Sequence, residues 1–412
     1  MGYPKNYGWV IVVAGTLTIF AALGLGRFAL GMLLPSMGEA LGLTASQMGL
    51  VSTANFSGYL LAVAACLFLG RTLSARRLIS FALLLGGCSM FFMARVRGFI
   101  DCALLYLVTG VGSGLANIPT MALVSSWFKS TLRGRAAGFI VMGSGFAIVL
   151  SGILVPFLNE SFPGVGWRVA WMILGAILLL VAVFCYLVVR DAPEEVGLKP
   201  LGGEVESRGG ALARESHGPS FSGGVSFGTL LHLASIYFCF GASYTVYVTF
   251  FVVSLTNERG VTEFFAGGLW GLIGLLSLFS GPIPGVIADK VGRRAALITV
   301  FSMHTMAYVL AGLSLAPNVL PWVSVLFFGL SAWGIPGIMT AIVSDVAGPL
   351  HTARVFAIVT LVLGVGQIIG PAVGGALADI THSFSSAFFM AALVAATGVL
   401  LSMFLGARNT RS

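Results

Sequence analysis

The fold is decided by a ten-residue stretch between two long apolar runs, which reads Gly285-Val286-Ile287-Ala288-Asp289-Lys290-Val291-Gly292-Arg293-Arg294. It places small residues, one acid and a cluster of cations where one apolar run ends and the next begins. Gly285 permits close packing of helices, Gly292 suits a tight turn, and Asp289 ends a helix beside cations that can pair with it. We expect this loop, with Arg293 and Arg294, to act as a conformational gate that holds two helices together in one state and releases them in another.

Apolar runs of this kind cover nearly all of the 412 residues. Hydrophobic residues make up 58% of the chain and charged residues only 9%, whereas soluble domains carry about 25% charged residues. A membrane span needs about 20 apolar residues, and the runs do not alternate with a period of two, so α-helices rather than barrel strands are predicted. Twelve spans are predicted, at about 9–34, 47–69, 78–94, 101–125, 135–158, 168–189, 229–254, 264–288, 295–315, 320–344, 354–378 and 384–406.

A polar break separates six spans from six. Residues 191–226 are rich in Gly and Ser and contain Phe221 as their one aromatic residue, which predicts a flexible linker. The sequence therefore predicts an N-terminal half at 1–190 and a C-terminal half at 227–412. The halves repeat one another weakly, because Ile118-Pro119 recurs as Ile335-Pro336 and Arg76-Arg77 as Arg293-Arg294, each 217 residues later.

The cations are distributed unevenly between the two sides of the predicted membrane protein. With the N-terminus in the cytoplasm, seventeen of the 22 Lys and Arg residues lie on the cytoplasmic side and four lie opposite. This asymmetry predicts that both termini are cytoplasmic. It also accounts for the net charge of +8 without a nucleic-acid partner. The one remaining cation, Arg27, falls inside the first span.

The loop at 285–294 resembles a signature of the major facilitator superfamily. The eleventh span contains a pattern that resembles a second superfamily motif, formed by Gly366, Gly370, Pro371, Gly374 and Gly375. In that motif, residues such as Gly370 allow close helix approach and Pro371 bends the helix, which makes both gate candidates. In the internal repeat, the position of the first half that corresponds to Asp289 is occupied by Thr72. The resemblance therefore does not imply a symmetric latch.

A narrower resemblance is to the bacterial YbfB/YjiJ-like branch of that superfamily, whose substrates are unknown. It rests on Gly26-Arg27-Phe28-Ala29, on Gly241-Ala242-Ser243-Tyr244 and on Gly268-Leu269-Trp270. The resemblance implies an all-α protein of the bacterial inner membrane in which two six-helix halves rock about a central site without ATP. It also implies that helices 1, 4, 7 and 10 line the cavity, with helices 2, 5, 8 and 11 beside them.

The distribution of cations between the two sides of the membrane does not explain the position of Arg27. An arginine at membrane depth costs about 2.5–3.5 kcal/mol on insertion scales, and its planar fork of donors matches a carboxylate, sulfonate or phosphate. Organophosphate antiporters of the superfamily carry a similar arginine and a second basic residue in the seventh helix, where this chain has Tyr244 and Tyr247 instead. We therefore expect a monoanion on Arg27, with both tyrosines as donors. The alternative is an arginine that snorkels or pairs helices.

Four further polar residues fall inside predicted spans. By the helix arrangement that the resemblance implies, Asn117 and Trp333 are candidates for lining the cavity, and Asn55 and Gln367 are secondary candidates. The alternative for each is a hydrogen bond between helices. His304 falls in the ninth, peripheral span, where packing is the favoured interpretation.

The sequence contains no H-E-x-x-H, G-x-S-x-G or Walker A pattern, so we expect neither an enzyme nor an ATP-driven pump, and no cofactor or metal. The prediction is a monomeric secondary transporter of a small organic solute, with an organic anion preferred. The alternatives are an exporter of hydrophobic or drug-like compounds and a membrane sensor that does not transport. The coupling ion, and the choice between symport, antiport and uniport, stay open.

Overall fold

The structure, a computed structural model, describes residue 4 and residues 6–69, 73–202, 225–313 and 319–406. In these ranges eleven helices are long and apolar enough to cross a membrane, and a bent pair of helices makes a twelfth span. The predicted all-helical fold of twelve spans is therefore confirmed. Spans 1 to 12 are Tyr7–Leu41, Ala45–Leu69, Ala75–Met93, Phe99–Trp127, Ser130–Ser161, Gly166–Val188, Phe227–Glu258, the pair Glu263–Ser277 and Pro282–Val291, Arg293–Gly312, Leu320–Gly348, His351–Thr381 and Phe384–Met403.

Span 1 is not a regular α-helix. An α-helix at Tyr7–Ile19 is followed by a π-helical segment at Phe20–Phe28 and by a second α-helix at Ala29–Leu41. Segments of π-helix are rare and are often found at functional sites. Arg27 lies near the end of this segment, so the distortion falls where the sequence places the unexplained charge.

Spans 8 and 10 are broken at mid-length. Span 8 bends by 46° between Ser277 and Pro282, and span 10 leaves the helical path at Ala332 and Trp333. Pro282 lacks the N–H that would continue the helix, which explains the break in span 8. The two breaks are joined, because the Trp333 backbone N–H donates to Ser280 Oγ over 3.2 Å.

The first part of the predicted linker packs against the N-terminal half. A turn of 3₁₀-helix spans Pro193–Val196, and Leu201 then exchanges backbone hydrogen bonds with Trp127 and Lys129. The Asp191 carboxylate accepts a hydrogen bond of 2.8 Å from the backbone N–H of Arg76. These residues are thus held in place, unlike the flexible linker expected from residue 191 onward. Residues 203–224 of that linker lie outside the described residues.

The two sides of the protein differ in how the halves meet. We call the side with the predicted linker the linker face and the opposite side the far face. On the far face a Cβ atom added to Gly49 of span 2 would lie 2.2 Å from the carbonyl oxygen of Pro371 in span 11. One turn further, Thr53 Oγ1 donates to the Ile368 carbonyl over 2.8 Å. The backbones of the two halves are therefore in direct contact there.

Toward the linker face the halves separate. In span 1, residues 28–35 are all buried, whereas a stripe from Val13 to Arg27 is partly exposed. On spans 4 and 10, which the superfamily resemblance places at the central cavity, the linker-side portions are exposed at Ala122, Ser125, Ser126, Gly337, Thr340 and Ser344. The central space is thus closed to the far face and open to the linker face.

Candidate substrate site

The Arg27 guanidinium lies against two aromatic rings of span 2. Its central carbon is 4.8 Å from the ring centre of Phe56 and 4.3 Å from that of Tyr59. Such contacts stabilise a cation by about 0.5–2 kcal/mol, depending on desolvation. They offset part of the cost of holding this half-buried charge at membrane depth.

The backbone around Arg27 is held by side chains from neighbouring spans. Tyr106 donates from its hydroxyl to the Arg27 carbonyl over 2.8 Å, and Asn55 Nδ2 donates to the Gly26 carbonyl over 3.2 Å. The same Asn55 nitrogen also reaches the Tyr106 carbonyl. Because the π-helical segment leaves carbonyls without regular α-helical partners, these bonds fix its shape. Asn55, only 1% exposed, therefore supports the site from behind.

Beside Arg27, three buried hydrogen-bond donors have no acceptor within hydrogen-bond distance among the described residues. They are Nε and Nη2 of Arg27 and Nε1 of Trp333. A buried donor without an acceptor costs about 1–3 kcal/mol, and more when it is charged. Nε and Nη2 form one edge of the guanidinium, the edge that can bind two oxygens of an anion side by side. The arrangement is suited to a ligand that brings acceptors.

The C-terminal half contributes Gln367, Tyr244 and Trp333 to the surroundings of Arg27. The Gln367 side chain donates through Nε2 to the Tyr244 hydroxyl over 2.7 Å, and Tyr244 lies within electrostatic reach of Arg27. The Trp333 ring lies 6.0 Å from the ring of Tyr244 and 5.1 Å from that of Phe28, which follows Arg27 in span 1. Trp333 thus touches both halves beside the charge.

The structure brings most of the candidates from the sequence together. Arg27, Asn117, Tyr244, Trp333 and Gln367 form one group, with Asn117 Nδ2 donating to the Tyr59 hydroxyl over 2.9 Å. Asn55 lies behind it, as described above.

Tyr247 lies apart from this group. Its hydroxyl shares a hydrogen bond of 2.9 Å with Ser324, and its ring stacks on Phe328 at 4.2 Å and on Phe251 at 4.6 Å. The side chain is fully buried inside the C-terminal half. We therefore assign Tyr247 to helix packing and leave it out of the site.

Three aromatic residues of the site were missed by the sequence reasoning, namely Phe56, Tyr59 and Tyr106. A signal existed for Tyr59, because it lies four residues after Asn55 and so shares its helix face. Aromatic residues are common in membrane spans, and nothing in the sequence separates Phe56 and Tyr106 from the other Phe and Tyr residues of the chain.

Two large cavities lie elsewhere. One of about 780 Å³ opens on the far face and is lined by the carboxylates of Glu39, Glu160 and Glu263. The other, of about 390 Å³, lies at the linker face between spans 7, 9, 10 and 12. Neither is lined by Arg27. The acidic lining of the first does not suit an anion, so the Arg27 group remains the candidate site.

The predicted gate loop is not latched in this conformation. Gly292 adopts a φ of +96°, as expected for a tight turn, but Asp289 is exposed and forms no ion pair with a residue that the structure describes. Arg293 pairs with Asp345 of span 10 instead, within its own half. Arg294 is exposed, and a Cβ atom added to Gly285 would meet nothing within 4 Å.

The second predicted gate motif lies in a tight contact. A Cβ atom added to Gly370 would lie 2.2 Å from the Ala242 carbonyl oxygen of span 7. The next residue, Pro371, contributes the carbonyl that touches Gly49. The small residue therefore lets spans 7 and 11 approach, and span 11 in turn meets span 2.

Two six-span halves, closed on one face around a central arginine, define a membrane transporter of the major facilitator fold. The model of the family described as "Uncharacterised MFS-type transporter YbfB" matches residues 19–403, and the chain belongs to this family. It is accordingly a multi-pass membrane transporter and not an enzyme.

Relatives of known or proposed substrate align over most of the chain. The hexuronate transporter of Bacillus subtilis is 25% identical over 396 residues, which cover 89% of this chain and 87% of that protein. A probable sulfoacetate transporter of Cupriavidus necator is 24% identical over 409 residues, which cover 92% and 89%. Among solved structures, a D-xylose–proton symporter has a similar fold, with a TM-score of 0.75 at 13% identity over 99% of both chains.

Proposed function

We propose that the protein moves a small organic anion across the membrane by alternating access and that Arg27 binds the anionic group. The observation that carries this proposal is the set of buried donors without acceptors, Nε and Nη2 of Arg27 and Nε1 of Trp333. A carboxylate or sulfonate supplies two oxygen acceptors to the Nε/Nη2 edge of Arg27, and a further acceptor on the ligand would serve Trp333 Nε1. Two relatives are named for the transport of hexuronate and of sulfoacetate, which are both organic anions, and this supports the same class.

The charge of the site favours a monoanion. Arg27 is the one cation at mid-depth among the described spans, since the other described Lys and Arg residues lie near span ends or in loops. Tyr244, at the position that the internal repeat places opposite Arg27, is neutral. A second negative charge on the ligand would remain without a partner in a medium of low dielectric constant.

The difference between the two faces supports the alternating-access part of the proposal. If the linker face is cytoplasmic, as the cation count predicts, the described conformation exchanges substrate with the cytoplasm. Trp333 contacts Phe28 across the halves and lies at the break in span 10. An anion on Arg27 therefore lies beside Trp333, a residue of the C-terminal half that contacts the N-terminal half. A rocking motion of the halves must move this residue.

The test is uptake by the purified full-length chain in proteoliposomes, with lactate, glucuronate, sulfoacetate, glucose 6-phosphate and ethidium as the panel. We expect uptake of monoanions and at least a hundredfold loss in Arg27→Gln, because the ligand loses both its charge partner and its fork of donors. Arg27→Lys should lose nearly as much, since an ammonium cannot bind two oxygens side by side. Arg97→Gln, at an exposed cation of the far face, is the matched control.

Each other outcome removes a specific part of the proposal. Unchanged uptake in both Arg27 variants would exclude Arg27 as the anion ligand. Flux of ethidium alone would support the exporter of hydrophobic compounds, which the aromatic rings of Phe28, Phe56 and Trp333 could also accommodate. Binding of an anion without flux would support the sensor.

A further inference from the structure

The Arg27 site contains the same chemical pair twice, once in each half. In the N-terminal half the Asn117 amide donates to the Tyr59 hydroxyl over 2.9 Å. In the C-terminal half the Gln367 amide donates to the Tyr244 hydroxyl over 2.7 Å. We call these two units the tyrosine–amide pairs.

The first pair lies against the guanidinium, and the second lies within interaction range of it. The Tyr59 ring centre is 4.3 Å from the central carbon of Arg27, and Tyr244 lies within electrostatic reach of both Arg27 and Tyr59. The four residues come from spans 2, 4, 7 and 11. The pairs therefore flank one ligand position from opposite halves.

Each pair has one donor and one acceptor to spare. A tyrosine that accepts a hydrogen bond from an amide still has its own O–H hydrogen to donate, and the amide still has its carbonyl oxygen to accept. Neither tyrosine hydroxyl donates to a described residue, and neither amide oxygen accepts from one. A single hydroxyl group, which both accepts and donates, satisfies both members of a pair at once.

We infer that the two tyrosine–amide pairs bind hydroxyl groups of the substrate, which is therefore a hydroxylated carboxylate. Its carboxylate lies on the Nε/Nη2 edge of Arg27, and its hydroxyls meet the phenol O–H and the amide carbonyl of either pair. This inference rests on the proposed function, since it assigns the rest of the ligand whose charge Arg27 binds. Apolar acids offer nothing to the pairs and should bind less tightly.

The experiment measures binding by calorimetry to the full-length protein in detergent, because undissociated fatty acids cross liposomes without a carrier. Three hydroxylated acids are each compared with the plain acid of equal chain length: glycerate with propionate, threonate with butyrate and gluconate with hexanoate. We expect at least one hydroxylated acid to bind tenfold or more tightly than its partner. A site built to bond a hydroxyl rejects the analogue that lacks it.

The variants separate hydroxyl recognition from carboxylate binding. Tyr59→Phe and Tyr244→Phe keep the rings beside Arg27 but remove the O–H, and Asn117→Leu and Gln367→Met remove the carbonyl with little change in volume. Each should weaken the hydroxylated acid about tenfold and leave the plain acid within twofold. Tyr186→Phe is the matched control, since Tyr186 is exposed and its ring lies 4.5 Å from Arg76 outside the site.

The outcomes also separate this inference from the proposed function. Equal affinity for every hydroxylated acid and its plain partner, with both lost in Arg27→Gln, would leave the proposed function standing and overturn the inference. Equal losses for both acids of a couple in the four variants would show a structural role for the pairs and overturn it as well. Failure of all six acids to bind the wild type would overturn both.

Discussion

The far face and the linker face of this transporter are built from the same spans but joined in opposite ways. On the far face, spans 2 and 11 touch backbone to backbone at Gly49 and Pro371, and Asp379 of span 11 accepts hydrogen bonds from the first N–H groups of span 2. On the linker face, Asp289 of the predicted gate loop pairs with none of the described residues, and the ion pair of Arg293 stays inside one half.

This difference shows where the described conformation gets its stability. Contacts between the halves are concentrated on the far face, and the linker face contributes contacts within each half. Breaking a far-face contact should therefore shift the balance between conformations, whereas breaking the linker-face ion pair should not. The following predictions test that contrast, beginning with the largest effect.

The first prediction concerns the backbone contact at Gly49. In Gly49→Ala the new methyl group would lie 2.2 Å from the Pro371 oxygen, which two backbones can relieve only by moving apart. Alanine is a better helix former than glycine by about 1 kcal/mol, so span 2 itself should fold normally. We expect at least a hundredfold loss of uptake and a longer far-face distance between spin labels at Arg95 and Val319.

The control for this variant is Gly268→Ala in span 8, where an added Cβ atom meets nothing within 4 Å. It should leave both uptake and the label distance unchanged. Normal uptake in Gly49→Ala would mean that the far face closes without this contact, and the contrast between the faces would lose its main support.

The second prediction concerns the carboxylate that joins the halves. Asp379 Oδ1 accepts from the Ala45 N–H over 2.8 Å and Oδ2 from the Ser46 N–H over 2.9 Å, so a residue of one half caps a helix of the other. Losing a helix cap costs about 0.5–2 kcal/mol. Asp379→Ala should therefore shift the population toward far-face opening, by about tenfold for a cost near 1.4 kcal/mol, as measured with the same labels. Asp379→Asn, which keeps one acceptor oxygen, should shift it less.

A cap within one half provides the comparison. Asp101 accepts from the Arg97 N–H over 3.2 Å at the start of span 4, and both residues belong to the N-terminal half. Asp101→Ala should lower thermal stability without changing the distance between the halves. An equal opening in both alanine variants would indicate general destabilisation and not a far-face lock.

The twelve-span architecture could be predicted from the sequence, but the irregular segments could not. Spans are set by long apolar runs, which composition reveals directly, and the single misplaced charge pointed to Arg27. The π-helical segment at Phe20–Phe28 and the join between Ser280 and Trp333 depend on partners in other spans. Local propensity does not contain that information.

The same limit explains the residues that were misplaced or missed. Tyr247 and Tyr244 lie three residues apart in span 7, and although the internal repeat aligns Tyr244 with Arg27, nothing in the sequence shows that Tyr247 lies outside the site. The structure does so because Tyr244 meets Gln367 of span 11 and Tyr247 meets Ser324 of span 10. Phe56 became part of the site because the distorted span 1 places Arg27 over it.

The smallest expected effect is at the linker face. Arg293 and Asp345 are 33% and 43% exposed, and exposed ion pairs contribute about 1 kcal/mol or less because water screens them. Arg293→Gln and Asp345→Asn should each change the melting temperature little and leave the far-face label distance unaltered. Asp289→Asn should not lower the melting temperature, since Asp289 pairs with no residue in the part of the chain that the structure describes, yet it should slow turnover if the loop latches when the far face opens. A far-face opening in Arg293→Gln as large as in Asp379→Ala would show that the linker face also sets the conformation, and the contrast between the two faces would fail.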